Sequence, residues 1–227
     1  MMRDQVHVII AKYTENISWC DELGYEYTVY DKSPHPLPNA INLENIGRES
    51  HTYLTHIVRN YDSLNPVNVF LQGNPFDHLS DQGSASVVDL QKAIEEVVDR
   101  RIPFKGFAWF KLRCDRLGRP HDLKEEKNRG RWAGWGKDIP LGDVFEQLFP
   151  ADFPNQLVVR APAGVFAVTG ERIRTRPKAF YEYALSLLEA DPEDSNNTGH
   201  AFERLWQQIF NGNTAWNRSA YPGLIKA

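Results

Sequence analysis

The chain has 227 residues, of which 41% are hydrophobic and 25% are charged, and its formal net charge is −4. These proportions are typical of a globular protein; they exclude a disordered chain and a protein that binds nucleic acid through overall positive charge. No stretch approaches the roughly 18 apolar residues of a membrane span. Its two cysteines, Cys20 and Cys114, make no disulfide framework, and without an export signal we expect a cytoplasmic protein.

The first part of the chain alternates between strand and helix patterns. Apolar or alternating runs predict three strands, at 7–11, 25–31 and 67–73. Helical spacing and helix-ending residues predict three helices, at 18–23, 45–61 and 85–101. The resulting β-α-β-α-β-α order predicts a mostly parallel sheet with helices on both faces. Since ligands bind beyond the carboxyl ends of such strands, we expect the site in three loops, 12–18, 31–45 and 72–82.

The middle of the chain is basic. Residues 100–140 hold twelve Lys or Arg against five Asp or Glu. Such an excess is typical either of a solvated face or of a channel that attracts anionic ligands. Within this segment, 114–122 predicts a hairpin, and 129–137 predicts an ordered loop anchored by Trp132 and Trp135.

The last part mixes strands and helices. Strands are expected at 156–160 and 164–168, and a helix from Pro177 to about Ala190. A polar loop over 191–199, in which Thr198 is a candidate cap, precedes a helix that buries Phe202, Leu205, Trp206 and Ile209. No segment divides the chain convincingly, so we expect one domain over residues 1–227.

The start of the helix at 45–57 is the first candidate binding element. Gly47 allows close approach of the backbone, the helix N-terminus offers unpaired N–H groups, and Arg48 supplies a fork for phosphate or carboxylate. The simpler interpretation is structural, with Asn45 as a cap, Glu49 favouring the helix dipole and Arg48 paired with an acid. His51 and His56 are five residues apart, so they do not form a metal-binding pair of the HExxH kind.

The exit of the third strand is the second candidate. Gln72, Asn74, Asp77 and His78 follow the strand directly, where amides read a base or sugar and an Asp–His pair serves a metal or a proton. The alternative is a polar turn. Glu203, which flanks the apolar stripe of the last helix, is the third candidate, either as a general base or in an ion pair with Arg204 or with the basic middle segment. Arg172, Arg174 and Arg176 share a face only if that segment is extended.

Several segments resemble one protein family. The strings at 11–19, 45–64, 69–78, 161–182 and 199–206, with GRESHTYL and FLQGNPFDH the most specific, resemble the family called domain of unknown function 3431. The resemblance spans about residues 6 to 210 and carries no activity with it.

A second resemblance implies a function. FLQGNPFDH is similar to a strand exit of branching and xylosyl-transferase enzymes, and AGVFAVTGERI is similar to their acceptor-side strand. The resemblance to these GT-A type glycosyltransferases implies a Rossmann-like three-layer sandwich with a mostly parallel central sheet and a mixed α+β C-terminal part. Residues 6–101 would then be the nucleotide-binding half and 102–227 the acceptor-side half.

On this resemblance, the partners are a nucleotide-sugar donor and a carbohydrate acceptor. The nucleotide is expected near Tyr13, Asp31 and Arg48, with Glu49 and His51 in the same binding set. Gln72, Asn74, Asp77 and His78 would hold the sugar. Asp77 and Glu203 would be the catalytic residues, with Glu203 deprotonating the acceptor. No Asp-x-Asp string is present to hold a metal diphosphate, so basic side chains would neutralise the leaving group unless a divalent metal binds elsewhere.

Two other functions are compatible with the sequence. A non-catalytic carbohydrate- or protein-binding module would use the aromatic loop of Trp132 and Trp135 for stacking. A metal-assisted hydrolase would use His51, His78, His200 and Glu203 as ligands and base. Both enzymatic hypotheses gain if His51, His78, Asp77 and Glu203 gather at one cleft at the carboxyl ends of the strands, and both lose if these side chains are scattered.

Overall fold

The computed structural model describes residues 3–79, 85–108, 110–119, 139–149, 151–154, 157–161, 164–190 and 195–210. The strands in these residues are β1 Val6–Lys12, β2 Glu26–Asp31, β3 Ile41–Asn42, β4 Val67–Gln72, β5 Phe104–Gly106, β6 Phe110–Cys114, β7 Leu157–Ala161 and β8 Phe166–Thr169. The α-helices are α1 Trp19–Leu23, α2 Arg48–Asn60, α3 Phe76–Leu79, α4 Val87–Asp99, α5 Leu141–Leu148, α6 Gly170–Ile173, α7 Lys178–Glu189 and α8 Ser195–Ile209.

Six strands form a mostly parallel sheet in the order β3-β2-β1-β4-β8-β5. The first four strands in this order run parallel to one another, and β8 runs antiparallel to both of its neighbours. β6 and β7 form a separate antiparallel pair, and β7 packs on α8. The expected α/β class and the mostly parallel sheet are therefore confirmed.

Helices cover both faces of the large sheet. On one face α2, α5, α7 and α8 pack over Ile9 and Phe70. On the other face α1 and α4 pack over Val8, Ile10 and Val69. The two sets alternate along β1 and β4 because successive residues of a strand point to opposite faces. The sheet is thus buried on both sides, as its continuous apolar strands require.

The helix patterns read from the sequence are confirmed with shifted ends. Tyr53, Leu54 and Ile57 of α2 are fully buried. α1 ends at Gly24, whose left-handed φ of 73° suits a helix C-cap. At the start of α2, however, the capping position is Gly47 and not Asn45.

The last helix begins earlier than predicted. α8 starts at Ser195, so the expected loop over 191–199 is wrong for its second half, and Thr198 lies inside the first turn instead of capping it. The sequence did not indicate that this turn is helical, because its Ser and Asn residues favour caps and turns in isolation. Tertiary packing against α2 overrides that preference here.

Other expectations fall partly outside the described residues. β6 ends at Cys114 and a turn follows through Arg119, which agrees with the first half of the predicted hairpin. The remainder of that hairpin, and the loop with Trp132 and Trp135, lie outside the described residues. No helix in the part that is described is long and apolar enough to cross a membrane.

Candidate functional site

A cavity of about 220 Å³ lies at the carboxyl ends of β1, β2 and β4. We call it the strand-end cavity. Its lining residues are Ala11, Lys12, Tyr13, Glu15, Lys32, Asn45, Arg48, Glu49 and Gln72. These residues belong to the strand exits and to the start of α2, the elements at which parallel sheets bind ligands. Tyr13, Arg48, Glu49 and Gln72, far apart in the sequence, are therefore brought to one cavity.

An ion pair between two strand ends fixes Lys12, one of the residues that line this cavity. Lys12 and Asp31 are register partners on β1 and β2, and Lys12 Nζ lies 2.8 Å from Asp31 Oδ2. The Asp31 carboxylate also accepts the backbone N–H groups of Ser33 and Leu37. Burial opposes its ionisation, but these bonds together lower the pKa of Asp31 to about 2. Since Asp31 is fully buried, this geometry favours a role in fixing Lys12 and the following loop.

Lys32 holds the strained turn that begins α2. Gly47 and Arg48 have positive φ angles of 59° and 51°, a conformation that costs a residue with a side chain on the order of 1 kcal/mol. Lys32 Nζ donates to the carbonyl oxygens of Ile46 and Arg48, at 2.6 and 2.5 Å. Burial lowers the pKa of Lys32 to about 8, against the opposing effect of the Glu49 charge. Lys32 therefore lines the cavity and stabilises its wall.

Glu49 is the buried carboxyl of the cavity. Its Oε1 has no hydrogen-bond partner among the described residues, and its Oε2 lies 3.7 Å from Arg48 Nε. The side chain packs against the bare backbone of Gly164, where an ideal Cβ would stand 3.1 Å from Glu49 Oε1. Burial, followed by the neighbouring Glu203 charge, raises the pKa of Glu49 to about 7. A carboxyl of this kind exchanges a proton near neutral pH.

Glu203 lies next to Glu49 without lining the cavity. Its Oε2 is 3.3 Å from His200 Nδ1. Burial opposes its ionisation, but the His200 hydrogen bond and the charges of Arg204 and Arg48 together lower the pKa of Glu203. Glu203 is therefore ionised, whereas Glu49 is readily protonated. Such a difference in protonation is expected for two neighbouring carboxyl groups in unequal environments.

Close packing of α2 on α8 brings these two carboxyls together. Gly47 N–H donates to Ser195 Oγ, and Ser50 Oγ donates to the carbonyl oxygen of Gly199. An ideal Cβ on Gly199 would stand 2.6 Å from the carbonyl oxygen of Gly47. Glycine at position 199 is thus what lets the two helix starts meet.

The comparisons with known proteins give a family and no activity. The family model described as "Protein of unknown function (DUF3431)" matches residues 8–221. The chain belongs to this family. No curated protein and no solved structure matches it. The resemblance to this family that the sequence indicated is confirmed. Because the family carries no activity, the roles of the residues that line the cavity follow from their geometry.

The other predicted residues of the β4 exit lie on the turn that follows the strand. Asn74 Nδ2 donates to Asp77 Oδ2 at 2.9 Å on the exposed surface, and α3 begins at Phe76. Asn74, Asp77 and His78 do not line the strand-end cavity. Their proposed contacts with a sugar stay predictions, and the hydrogen bond between Asn74 and Asp77 agrees with the alternative of a polar turn.

His51 points away from the strand-end cavity. It lines a different cavity, and its Nε2 lies 3.4 Å from Glu189 Oε1. His200, by contrast, pairs with Glu203. No group of three or more His, Cys, Asp or Glu side chains that would hold a metal ion is found within the described ranges. The ligand set of the hydrolase hypothesis, with His51, His78, His200 and Glu203, is therefore not assembled in that part of the chain.

The arginines of 172–176 do not form one face. These arginines would share a face only in an extended segment, but the chain here forms α6 and a turn. Arg176 is partly buried and donates to carbonyl oxygens at the end of α8. Arg172 and Arg174, with Arg101, line a cavity of about 580 Å³ at the end of the sheet where β1 and β4 begin. We call it the arginine-lined cavity.

Stability should depend on pH through Glu49. Its folded pKa of about 7 lies above the ordinary value of 4.5, so the folded protein binds a proton that the unfolded chain has released between these pH values. The stabilising contribution is complete below pH 4.5 and is lost as the pH rises through 7. The unfolding free energy of the wild type should fall between pH 5 and pH 8. In Glu49→Gln this fall should be smaller by roughly 2 kcal/mol. Urea unfolding at both pH values measures this, and equal losses would contradict it.

The sequence also held residues that we did not single out. Lys12, Lys32 and Glu15 line the cavity but were not candidates. Lys12 is the last residue of β1, and Lys32 directly follows the last residue of β2. Since polar residues at the carboxyl ends of parallel strands face the ligand site, this position was the signal that would have found them.

Proposed function

We propose that this protein transfers a sugar from a nucleotide-sugar donor to a hydroxyl acceptor in the strand-end cavity, on a GT-A-like, Rossmann-like sandwich. The observation that carries the proposal is one cavity that combines a buried carboxyl, Glu49, with three cationic side chains, Lys12, Lys32 and Arg48. Its place at the carboxyl ends of parallel strands supports a nucleotide site.

The cationic wall would bind the donor diphosphate. Arg48 stands at the start of α2, and its side chain is 43% exposed, so its guanidinium can reach a phosphate while the helix N-terminus adds N–H groups and a positive dipole end. Lys32 and Lys12 contribute charge from the two strand ends. Because the sequence has no Asp-x-Asp string, we assign neutralisation of the leaving diphosphate to these side chains. Tyr13, 41% exposed at the rim, offers a ring on which the base stacks.

Glu49 would act as the general base. Its carboxylate takes the proton of the acceptor hydroxyl while the acceptor oxygen bonds to the anomeric carbon and the bond to the diphosphate breaks. Glu203 was the base expected from the sequence, but Glu49 is the carboxyl that lines the cavity. We therefore give Glu203 a positioning role, in which its charge raises the pKa of Glu49. Gln72, beside Glu49 at Gly164, supplies an amide for a sugar hydroxyl.

Nucleoside diphosphates should stabilise the protein. A ligand that binds only the folded state at one hundred times its Kd adds about 2.7 kcal/mol, which corresponds to several degrees in Tm for a chain of this size. We expect UDP, GDP or CDP at millimolar concentration to raise Tm, and Arg48→Met to remove most of that shift. Differential scanning fluorimetry provides the measurement.

Arg59→Met is the matched control, because Arg59 lies on the same helix and does not line the strand-end cavity. Its nucleotide response should equal that of the wild type. If none of the three nucleotides moves Tm, or if both arginine variants lose the response equally, the proposed function is wrong.

A further inference from the structure

The arginine-lined cavity lies at the other end of β1 and β4 from the nucleotide site proposed above. It forms where β4 and β5 begin and β8 ends, because Gly170 N–H donates to the carbonyl oxygen of Pro66 and Thr169 N–H donates to that of Pro103. Its volume of about 580 Å³ falls in the range of about 300–1,000 Å³ typical of small-molecule sites. Among the described residues, none lines both this cavity and the strand-end cavity.

Arg101 occupies a backbone position that favours glycine. It follows the end of α4, where Arg101 N–H donates to the carbonyl oxygen of Val98 and Ile102 N–H donates to that of Val97. These two bonds define a Schellman motif, which places Arg101 in the left-handed region with a φ of 50°. Glycine adopts this φ without steric cost, whereas any residue with a Cβ loses stability there. Because the exposed Arg101 side chain lines the cavity, this local strain points to a function for its guanidinium.

Arg174 reaches the same cavity from the turn after α6. Gly170 leaves room for its guanidinium, since an ideal Cβ on Gly170 would stand 3.2 Å from Arg174 Nη2. Arg174 Nη1 lies 3.5 Å from the carbonyl oxygen of Tyr61 at the exposed surface. A guanidinium carries five N–H donors, so Arg174 keeps donors for a ligand in the cavity.

The charges that face the cavity favour an anion with a single charge. The lining holds three arginines, Arg101, Arg172 and Arg174, against one acid, Glu171. Charged residues within two positions of the lining nearly cancel one another: the acids are Asp4, Asp62, Glu95, Glu96 and Asp99, and the bases are Arg3, Arg100, Lys105 and Arg176. Of these, Glu96 forms ion pairs with both Arg100 and Lys105. The small positive excess of the lining therefore suits a monoanion better than a phosphate dianion.

The reachable part of the remaining wall is largely aliphatic. Pro66 and Pro103 are exposed, and Val98 is partly exposed. Aliphatic surface beside guanidinium groups, which pair with carboxylates in a two-pronged geometry, fits a ligand with one charged end and an apolar body. We propose that the arginine-lined cavity is a second binding site, for a small aliphatic carboxylate whose charged end pairs with Arg101 and Arg174. This site goes beyond the proposed transfer reaction and does not depend on it.

Saturation-transfer NMR with hexanoate tests the proposal without any nucleotide. Titrations up to about 20 mM reveal millimolar Kd values. We expect hexanoate to bind, and two matched probes to bind at least tenfold more weakly: acetate, which has the charge without the chain, and 1-hexanol, which has the chain without the charge. Arg101→Met and Arg174→Met should each weaken hexanoate binding about tenfold, because each removes a charge-assisted hydrogen bond.

Arg101→Gly separates a ligand role from a structural one. It should weaken hexanoate binding as Arg101→Met does, yet raise Tm by about 2–4 °C, because glycine relieves the cost of the left-handed conformation. A gain in stability with a loss of binding is typical of a residue kept for function. A lower Tm in Arg101→Gly would overturn the assignment of Arg101 to a ligand.

Arg100→Met is the matched control. Arg100 is adjacent in the chain and exposed, but it pairs with Glu96 and does not line the cavity. Its variant should bind hexanoate as the wild type does, and circular dichroism verifies that all variants fold. The proposal is overturned if hexanoate does not bind, if acetate or 1-hexanol binds equally well, if Arg100→Met weakens binding as much as Arg101→Met, or if only inorganic phosphate binds. Arg48→Met should leave hexanoate binding unchanged, so this proposal and the proposed function can fail separately.

Discussion

Glu49→Gln should lower the rate of sugar transfer by about 10²–10⁴-fold while nucleoside diphosphate binding is retained, because a general base typically contributes a factor of that size. Glutamine keeps the shape of the side chain and cannot accept the acceptor proton. The assay follows release of nucleoside diphosphate from the matching nucleotide sugar with a panel of hydroxyl acceptors. Binding of the diphosphate is measured separately by the rise in Tm.

Glu15→Gln is the control for this variant. Glu15 also lines the strand-end cavity, but its Oε2 accepts the backbone N–H of Tyr13 at the exposed rim. We expect its rate to fall less than tenfold. A Glu49→Gln enzyme within about threefold of the wild type, a factor smaller than any general base supplies, would rule out Glu49 as the base.

Glu203 has a distinct signature in the same assay. Since its negative charge raises the pKa of Glu49, Glu203→Gln should move the acidic limb of the pH–rate profile to lower pH. A variant that lost activity uniformly at every pH would instead have only a structural defect.

Gly199→Ala should destabilise the protein by about 3 kcal/mol, at the upper end of the cost of overpacking. The new Cβ would stand 2.6 Å from the Gly47 carbonyl oxygen and 2.9 Å from its carbonyl carbon. Both are backbone atoms, so α8 itself has to move away from α2. That movement also lengthens the hydrogen bond from Ser50 Oγ to Gly199. Urea unfolding gives the change in unfolding free energy.

Ser186→Ala, on the exposed side of α7, is the comparison variant, because it is also a change of one small residue to alanine. It removes one exposed hydrogen bond, from Ser186 Oγ to Tyr183, and should cost less than about 1 kcal/mol. If Gly199→Ala costs no more than this, the helix starts are not in contact as described. The pKa of Glu49 gives a second readout: separation of the helices removes Glu203 from Glu49 and lowers the pKa of Glu49.

The part of the site that rests on strand ends was predictable from the sequence. Alternating β and α patterns select the loops after three strands, and Tyr13 and Gln72 from these loops line one cavity with Arg48 and Glu49, which come from the predicted helix start. This works because parallel strands place all their carboxyl ends at one edge of the sheet, whatever the tertiary details. Tyr13 and Gln72, which stand directly at two strand ends, therefore converge by topology alone, whereas Asn74, Asp77 and His78, farther along the turn after β4, do not line the cavity.

The contribution of α8 was not predictable in the same way. Glu203 was a candidate because of its position beside an apolar stripe, but its proximity to Glu49 depends on contact between two helix starts through Gly199. Sequence periodicity gives the buried face of a helix and not its partner. His51, which the sequence analysis grouped with Arg48, lines a different cavity, because residues three apart share one side of a helix only approximately and α2 separates two cavities.

A crystal structure of the protein with the nucleoside diphosphate that raises Tm most is the most direct test of the strand-end cavity as the donor site. We expect diphosphate oxygens within hydrogen-bonding distance, about 3 Å, of Arg48 and of the first turn of α2. The Glu49 side chain, which lines the strand-end cavity, should lie beside the position of the acceptor hydroxyl. A nucleotide bound instead in the arginine-lined cavity of Arg101, Arg172 and Arg174 would contradict the proposed function.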